Sequence, residues 1–294
     1  MRLVSLLPSA TEIVYALGLG DQLVGVTFEC DEPAAARAEK TVVVGGLDTR
    51  GMTPREIDDY VHGQLATDGN LYTLHERALA GLRPDLILTQ DLCAVCALPS
   101  GQVEAALAYL DCQAQVLTLD PRTLDEMLDS ILTVGQVTGV PGRADRLVAG
   151  LRARLAAVAA RVAGQPQPKV AVIEWVDPPF TAGHWVPDLV TAAAGTPVAA
   201  RPGEPSVTAR WPEIAAAAPD LVVVAPCGYH LDGAAEQARV AVQELPGLPV
   251  WAIDADGIIV RPGPRLVAGV EALAAMLHPG TASPAPPGAI QRIA

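Results

Sequence analysis

The sequence predicts an α/β protein made of two lobes, each a parallel sheet flanked by helices, with one long helix joining them. Strand-like apolar runs alternate with helix-like segments along the 294 residues, which is typical of parallel sheets. A long helical pattern at 141–164 separates two such alternating halves. A strand preceded by Pro-Asp-Leu occurs once in each half. Half of the residues are hydrophobic, enough for two buried cores.

The first half opens with the strand-like run "RLVSLL" and a helix pattern from Ser9 to Leu19. Glu12 follows Ser9 by three residues, which predicts a capping box with Ser9 as the N-cap. The polar stretch at 50–75 predicts an exposed helical insertion. The other elements of this half are strands 22–27, 40–45 and 85–90, helix 101–110, strand 115–119 and helix 123–138.

The second half begins after an Ala-, Leu- and Arg-rich segment that starts at Pro141 and ends at the Pro-rich break "GQPQPK". This segment predicts a single linking helix. The strands and helices that follow are 169–175, 186–195, 220–225, 233–243, 249–254 and 264–277. The predicted domains are an N-terminal lobe at 1–140, the backbone helix at 141–164, a C-terminal lobe at 165–279 and a flexible tail at 280–294.

A weak internal repeat supports the two-lobe interpretation. "LRPDLILTQDLCAVC" in the first half matches "AAPDLVVVAPCGY" in the second, and Pro84 and Pro219 lie about one half-chain apart. Ligands of such sheets bind at the carboxyl ends of the strands. We therefore expect the equivalent loops of the two lobes to face each other across a ligand-binding cleft.

Charge and hydropathy exclude several classes of partner. The formal net charge is −13 and there is no block of Lys or Arg, which argues against nucleic acid or an anionic membrane. No run of about 18 apolar residues predicts a membrane-spanning helix. Pro8, Thr11 and Glu12 interrupt the N-terminal apolar run, so it does not read as a signal peptide. These features predict a cytoplasmic protein, or an extracytoplasmic one if a leader precedes this sequence.

Four of the five cysteines follow predicted strands. They are Cys30, Cys93, Cys96 and Cys227. Thiolates at converging strand ends suit zinc or an iron–sulfur cluster. Buried thiols without a metal are the favoured interpretation of these residues taken alone, and a redox pair is the third. Cys112 precedes a strand, at the opposite end, and is predicted to be structural.

The loop "EWVDPPFTAGHWVP" at 174–187 is the second candidate binding element. Its prolines restrict the backbone, and Phe180 and Trp185 offer flat apolar surface to a large planar ligand. His184 could bind a metal or donate a hydrogen bond. Trp211 could line the same rim, although a capped helix start explains it too. The alternative for the loop is a packed Pro/aromatic turn without a ligand.

The helix start in "SLLPSATE" is the third candidate, since its free N–H groups suit an anion or an amide. A plain helix start is the alternative. The sequence contains no Gly-rich phosphate loop, no His-Glu-x-x-His motif and no recognisable Ser/His/Asp set. These observations predict a binding protein and not an enzyme.

The segments "LVSLLPSATEIVYALGLGDQLVGVT", "LRPDLILTQ", "DPPFTAG" and "APDLVVVAPCG" together resemble the helical-backbone (class III) substrate-binding proteins of ABC importers, in particular the cobalamin-binding members. The resemblance covers nearly all of residues 1–279. It implies two Rossmann-like lobes, the periplasmic-binding-protein-like fold, with a corrinoid in the interlobe cleft. It also implies an ABC permease as partner and a role in vitamin transport.

The same resemblance assigns site residues by position. Ser9 and Thr11 belong to the first-lobe loop, and Phe180 belongs to the second-lobe wall. Where cobalamin binders place aromatic residues, this chain has Glu29-Cys30 and Gln90-Asp91. A leaderless subset of sequences is similar to this one in "TFECD", "TQDLCAVC" and "APCGY", with four recurring cysteines in these loops.

Two hypotheses follow. The first is a non-catalytic binding protein for cobalamin or a related corrinoid. Its predicted ligand-binding residues are Ser9, Thr11, Glu29, Gln90, Asp91, Phe180, His184, Trp185 and Trp211. The second is a cytoplasmic zinc or iron–sulfur protein, enzymatic or not, with Cys30, Cys93, Cys96 and Cys227 as metal ligands.

Overall fold

The computed structural model describes residues 1–47, 49, 51–67, 71–92, 100–109 and 113–294, and the chain divides into two compact units. The first lobe comprises Met1–Asp120 and Asp129–Leu147. The second comprises Pro121–Leu128 and Val148–Ala294. Each lobe contains a mainly parallel sheet and helices, which confirms the predicted two-lobe α/β fold.

The first-lobe sheet has six described strands in the order β4-β3-β2-β1-β5-β6. All its neighbours are parallel except the β3–β4 pair, and its central strands β1 and β5 are buried along their whole length. Such continuous apolar runs are typical of strands covered on both faces. The strands are β1 Leu3–Ser5, β2 Leu23–Thr27, β3 Thr41–Gly45, β4 Thr73–Leu74, β5 Leu86–Thr89 and β6 Gln115–Thr118.

The helices of this lobe include α3, which corresponds to the predicted polar insertion. Ile57 is the one residue of α3 that is buried, so the helix is largely exposed as expected. The helices are α1 Pro8–Ala16, α2 Ala34–Glu39, α3 Pro54–Thr67, α4 Glu76–Leu82 and α5 Ser100–Tyr109. Two more, α6 Leu124–Val137 and α7 Pro141–Val162, have residues in both lobes.

The predicted capping box at Ser9 is wrong. Helix α1 starts at Pro8, its N-cap is Leu7, and no side chain caps it. Proline is well suited to the first helical position because its missing N–H has no partner there in any case. Ser9 therefore lies inside the first turn, and its side chain is buried.

The second-lobe sheet has the order β10-β8-β7-β11-β12-β13, with β9 pairing to β7. Strands β7, β9, β11 and β12 are parallel, whereas β8, β10 and β13 add antiparallel pairs. The strands are β7 Lys169–Val176, β8 Pro179–Thr181, β9 Thr196–Pro197, β10 Val207–Thr208, β11 Leu221–Val224, β12 Val250–Ile253 and β13 Ile290–Arg292. The helices are α8 Val186–Ala192, α9 Trp211–Ala216, α10 Leu231–Glu244, α11 Ala255–Ile258 and α12 Leu266–Leu277.

The long helix α7 corresponds to the predicted linking helix. Its buried residues recur every three, four or seven positions, which places them on one face. They are Ala144, Val148, Leu151, Val158 and Val162. Within the second lobe, the Arg154 guanidinium makes a two-pronged ion pair with Glu271 of α12, at 2.9 and 2.7 Å. Apolar packing and this pair hold the C-terminal part of α7 to its lobe.

The Pro-Asp-Leu repeat has the same geometry in both lobes. The Asp85 carboxylate accepts the Arg2 N–H at 2.6 Å, and the Asp220 carboxylate accepts the Lys169 N–H at 2.7 Å. In each case the aspartate sits before the strand and binds the start of the neighbouring strand. A residue with positive φ lies two positions before each aspartate, Arg83 at +45° and Ala218 at +50°. The sequence repeat therefore marks a structural repeat.

The C-terminal tail differs from the flexible segment predicted at 280–294. Strand β13 pairs antiparallel with β12, with Ile290 opposite Ile253 and Arg292 opposite Trp251. A three-residue strand has no propensity signal of its own, and its order comes from the open edge of β12 that it covers.

Candidate ligand-binding site

Three aromatic side chains lie at the carboxyl end of the second-lobe sheet. Strands β7 and β11 are parallel, so Trp175 and Tyr229 reach the same edge, where their ring centroids are 5.8 Å apart. Phe180 pairs directly with Trp175 across the β7–β8 hairpin, and directly paired side chains share a face. All three are half-buried. We call Trp175, Phe180 and Tyr229 the aromatic wall.

Local contacts hold the aromatic wall in place. The Trp175 indole N–H donates to the Asp177 carbonyl at 3.2 Å. The Tyr229 ring lies over Gly233 of α10, where a β-carbon would come within 2.4 Å of it. Burial raises the pKa of the Tyr229 phenol, so the ring presents a neutral surface. The Trp175 and Tyr229 rings are tilted by 52° to each other and together offer fixed aromatic surface to a large apolar ligand.

The two tryptophans that the sequence predicted as ligand contacts lie outside the aromatic wall. Trp185 is 6% exposed, and its indole N–H donates to the Ile259 carbonyl at 2.8 Å. Its surroundings give it a packing role within the lobe, and its contact with a ligand stays a prediction. Trp211 begins α9 and packs partly against the core, as the capped-helix alternative expected. Its contact with a ligand stays a prediction.

The loop that carries His184 is tied to the sheet through Glu174. The Glu174 carboxylate accepts the Gly183 N–H at 3.0 Å and the Ser206 hydroxyl. The His184 N–H donates to the Glu204 carbonyl at 2.6 Å. These bonds join the segment after β8 to the segment before β10. They fix the loop in addition to the restriction that its prolines impose.

His184 occupies an unusual position within this loop. Its φ is +46°, which is uncommon for a residue with a β-carbon, and its ring stacks on Trp185 at 5.6 Å. Its Nε2 is buried and makes no hydrogen bond to the described residues. Burial, and then the nearby Arg122 charge, lower the pKa of the imidazole. His184 is therefore a neutral ring at neutral pH.

The lowered pKa of His184 predicts a pH dependence of stability. The folded-state pKa lies below the ordinary value of 6.5, so the unfolded chain binds this proton more readily. Stability should therefore fall as the pH drops through about 6.5. His184→Asn, which does not titrate and tolerates a positive φ, should lose less stability between pH 7 and about pH 5.5.

Urea unfolding at each pH measures this effect, and His62→Asn is the matched control. His62 is exposed on α3 and should leave the wild-type profile unchanged. Identical slopes for His184→Asn and wild type would contradict the assignment.

The first lobe presents a smaller aromatic pair at the ends of β2 and β3. The Phe28 and Tyr72 ring centroids are 6.2 Å apart, and Gly46 lies against Phe28. The Tyr72 hydroxyl donates to Glu29 at 3.4 Å. Glu29, predicted from the resemblance, is thus half-buried beside two aromatic rings that sequence reasoning did not select.

The other predicted first-lobe residues are more enclosed. Ser9, Thr11 and Gln90 are at most 5% exposed, so a ligand would reach them only if neighbouring groups moved. The Asp91 side chain is exposed, and its carboxylate accepts the Ser100 N–H and hydroxyl, both at 2.6 Å, at the start of α5. Ligand contact by these four residues stays a prediction.

Comparison with known proteins identifies the family. A model of the family described as periplasmic binding protein matches residues 3–255. The chain belongs to the periplasmic binding protein family.

Its relatives and structural neighbours support the predicted resemblance. YvrC of Bacillus subtilis, an uncharacterized ABC transporter substrate-binding lipoprotein, is 27% identical over 291 residues, covering 95% of this chain and 81% of YvrC. The vitamin B12-binding protein of Vibrio cholerae is 26% identical over 277 residues, covering 92% and 86%. A periplasmic heme binding protein from Pseudomonas aeruginosa aligns with a TM-score of 0.71 at 23% identity, covering 99% and 97%, which shows a shared fold.

Within this family fold, the predicted cysteine site is described only in part. Cys30 is buried, with its sulfur 3.1 Å from the Thr11 hydroxyl and 3.3 Å from that of Thr27, whereas Cys227 is exposed. Cys93, Cys96 and Cys112 lie outside the described residues. Among the described residues, no group of three or more His, Cys, Asp or Glu side chains is arranged to hold a metal. Convergence of the four cysteines stays a prediction.

A polar network beside Cys227 was missed in the sequence. The Asp256 carboxylate accepts the Gly228 N–H and pairs with Arg261, both at 2.9 Å. The His230 Nδ1 lies 2.8 Å from an Asp254 carboxylate oxygen. Two aspartates at the end of β12 thus hold the loop after β11. The available signal was that "APCGYH" follows β11 and "DAD" follows β12, two strands that become neighbours.

Across the ranges that the structure describes, no helix combines the length and apolar character needed to span a membrane.

Proposed function

We propose that the protein is a non-catalytic substrate-binding protein that binds cobalamin or a related corrinoid and presents it to an ABC permease. The observation that carries this proposal is the similarity to the vitamin B12-binding protein of Vibrio cholerae along 92% of this chain. The aromatic wall supports it, because three half-buried rings at one sheet edge suit a corrin macrocycle.

The ligand is proposed to bind at the carboxyl ends of the strands, where open α/β sheets hold their ligands. The cleft between the lobes stays a prediction. The relative YvrC is a lipoprotein and the family is described as periplasmic, which supports the extracytoplasmic alternative for localisation. Heme is the second candidate ligand, since it is also a flat tetrapyrrole and the aromatic wall suits it equally well.

Calorimetric titration with cyanocobalamin and, separately, with hemin tests the proposal. Wild-type protein should bind one of the two at micromolar concentration or tighter. Trp175→Ala should weaken that binding about tenfold or more, since buried aromatic rings carry much of the binding energy at such surfaces.

Tyr60→Ala is the matched control, because it removes a half-buried ring from α3 of the first lobe, whereas the aromatic wall belongs to the second. Its affinity should equal that of wild type. Failure of both ligands to bind wild-type protein at high micromolar concentration would overturn the proposed function.

The four-cysteine metal site remains the alternative from a different class. Metal analysis of anaerobically purified protein tests it. About one zinc, or the iron of one cluster, per chain in wild type and its loss in Cys93→Ser/Cys96→Ser would support the alternative. Metal-free wild-type protein would contradict it.

A further inference from the structure

Gln237 is a buried polar side chain on α10, the helix that lies against Tyr229 of the aromatic wall. It is only 6% exposed, although its amide has both donors and an acceptor to satisfy. Its Nε2 and Oε1 are both buried, and neither makes a hydrogen bond to any residue that the structure describes. An unpaired buried amide is costly, so a partner for this one is expected.

The candidate partner is the Tyr229 hydroxyl. The Tyr229 ring lies along Gly233, whose would-be β-carbon is 2.4 Å from the ring Cδ1 and 3.3 Å from Cε1. Gln237 follows Gly233 by four residues, which puts both on the same face of α10. The Gln237 side chain lies close enough to the phenol to lower its pKa, against the larger rise that burial causes. The two groups are therefore neighbours that stop short of a hydrogen bond.

The position of the Tyr229 ring shows how this bond can be completed. The ring is half-buried, with one edge against α10 and the Trp175 ring 5.8 Å away. A ligand that packs on the aromatic wall covers the exposed part of the ring and presses it against the helix. Because Gly233 has no side chain, the ring can slide along this turn toward Gln237. The shift is small, since the two side chains already act on each other.

Resting on the proposed ligand at the aromatic wall, we propose that Gln237 is a positioning residue for Tyr229, and that ligand binding brings the Tyr229 hydroxyl into a hydrogen bond with the Gln237 amide. The phenol O–H can donate to Oε1, or an amide N–H can donate to the phenol oxygen. Either bond gives the buried amide a partner in the bound protein. Gln237 thereby raises the affinity without itself contacting the ligand.

Thermal unfolding and calorimetric titration of Gln237→Met test this inference. Methionine is also unbranched and has little need for hydrogen bonds, so the variant without ligand should melt about 2–4 °C above wild type. Its affinity for cyanocobalamin or hemin, whichever wild type binds, should nevertheless fall about 5–30-fold. A glutamine with an ordinary structural role would not raise the melting temperature and lower the affinity together.

Tyr229→Phe keeps the ring and removes the hydroxyl, so its affinity should fall by a similar factor. The double variant Tyr229→Phe/Gln237→Met should bind no more weakly than either single variant, because both changes remove the same bond. Gln243→Met is the matched control, since Gln243 lies on the same helix but is exposed. Its melting temperature and affinity should equal those of wild type.

Three results would overturn the inference while the proposed function stands, once wild type binds one of the two ligands. They are a melting temperature of Gln237→Met at or below that of wild type, an unchanged affinity of that variant, and losses of affinity that add in the double variant. If wild type binds neither cyanocobalamin nor hemin, the proposed function and the inference both fail.

Discussion

Gly183→Ala is expected to lower the free energy of unfolding of the second lobe by about 3 kcal/mol. A β-carbon at this position would lie 2.3 Å from the Ser206 amide nitrogen and 2.6 Å from the Glu204 carbonyl oxygen. Both neighbours are backbone atoms, so no side chain can rotate away. The two chain segments would have to separate.

Separation would also weaken the hydrogen bonds that fix the loop. The Gly183 N–H donates to Glu174, and the His184 N–H donates to the Glu204 carbonyl. Half-buried polar groups that lose their partners cost about 1–3 kcal/mol each, so even partial loss adds to the steric cost. Gly183 therefore lets the two segments lie close together because it has no side chain.

Tryptophan fluorescence during urea unfolding measures the effect, because all four tryptophans, at 175, 185, 211 and 251, belong to the second lobe. Gly150→Ala is the control. Gly150 lies in the exposed middle of α7 with no atom within 4 Å of its would-be β-carbon, so alanine should stabilise by about 0.5–1 kcal/mol. A loss below about 1 kcal/mol for Gly183→Ala would show that the two segments yield easily.

The parallel sheets were predictable because their strands carry their own signal. The apolar runs "LIL" and "LVVV" each follow Pro-Asp. They belong to β5 and β11, which have the expected neighbours. The buried face of α7 could be predicted for the same reason, because the spacing of its apolar residues is a local feature of the sequence. Strand β4, which lies inside the stretch 50–75 predicted as a helical insertion, and strands β8, β9, β10 and β13 were not predicted. Each has two or three residues and exists only through its pairing partner.

The candidate site was less predictable, since its residues act through partners distant in sequence. Phe180 and His184 could be selected from their loop, but the Glu174–Ser206 contact that fixes this loop joins residues far apart in the chain. The contact between His230 and Asp254 could not be predicted, because the two residues follow different strands, β11 and β12. At Ser9, the capping-box pattern predicted the wrong helix start. Pro8 occupies the first helical position, which proline favours, so the helix starts there.

Asp256→Ala is expected to cost about 3 kcal/mol, since it removes one member of a buried ion pair with Arg261. The Asp256 and Arg261 side chains are each only 11% exposed. The Asp256 carboxylate also accepts the Gly228 N–H, so its loss frees one end of the loop after β11. Asp256→Asn keeps an oxygen for that N–H and should cost less, about 2 kcal/mol.

Glu204→Ala is the control, because it removes the carboxylate from an exposed ion pair with Arg201 in the same lobe. Exposed pairs contribute at most about 1 kcal/mol, so urea unfolding should separate the two variants clearly. Equal effects of Asp256→Ala and Glu204→Ala would contradict the importance assigned to burial.

The same variant links stability to binding, because Asp256 lies outside the aromatic wall and yet supports the loop that carries Tyr229. With the Gly228 N–H released, the bond from the Asp256 backbone N–H to the Tyr229 carbonyl and the His230–Asp254 contact still hold this segment to α11 and its N-cap. At a temperature where Asp256→Ala remains folded, its affinity for the ligand that wild type binds should fall about tenfold, or 1.4 kcal/mol. Unchanged affinity would mean that contacts other than the Asp256–Gly228 bond, such as its packing on Gly233, position the Tyr229 ring.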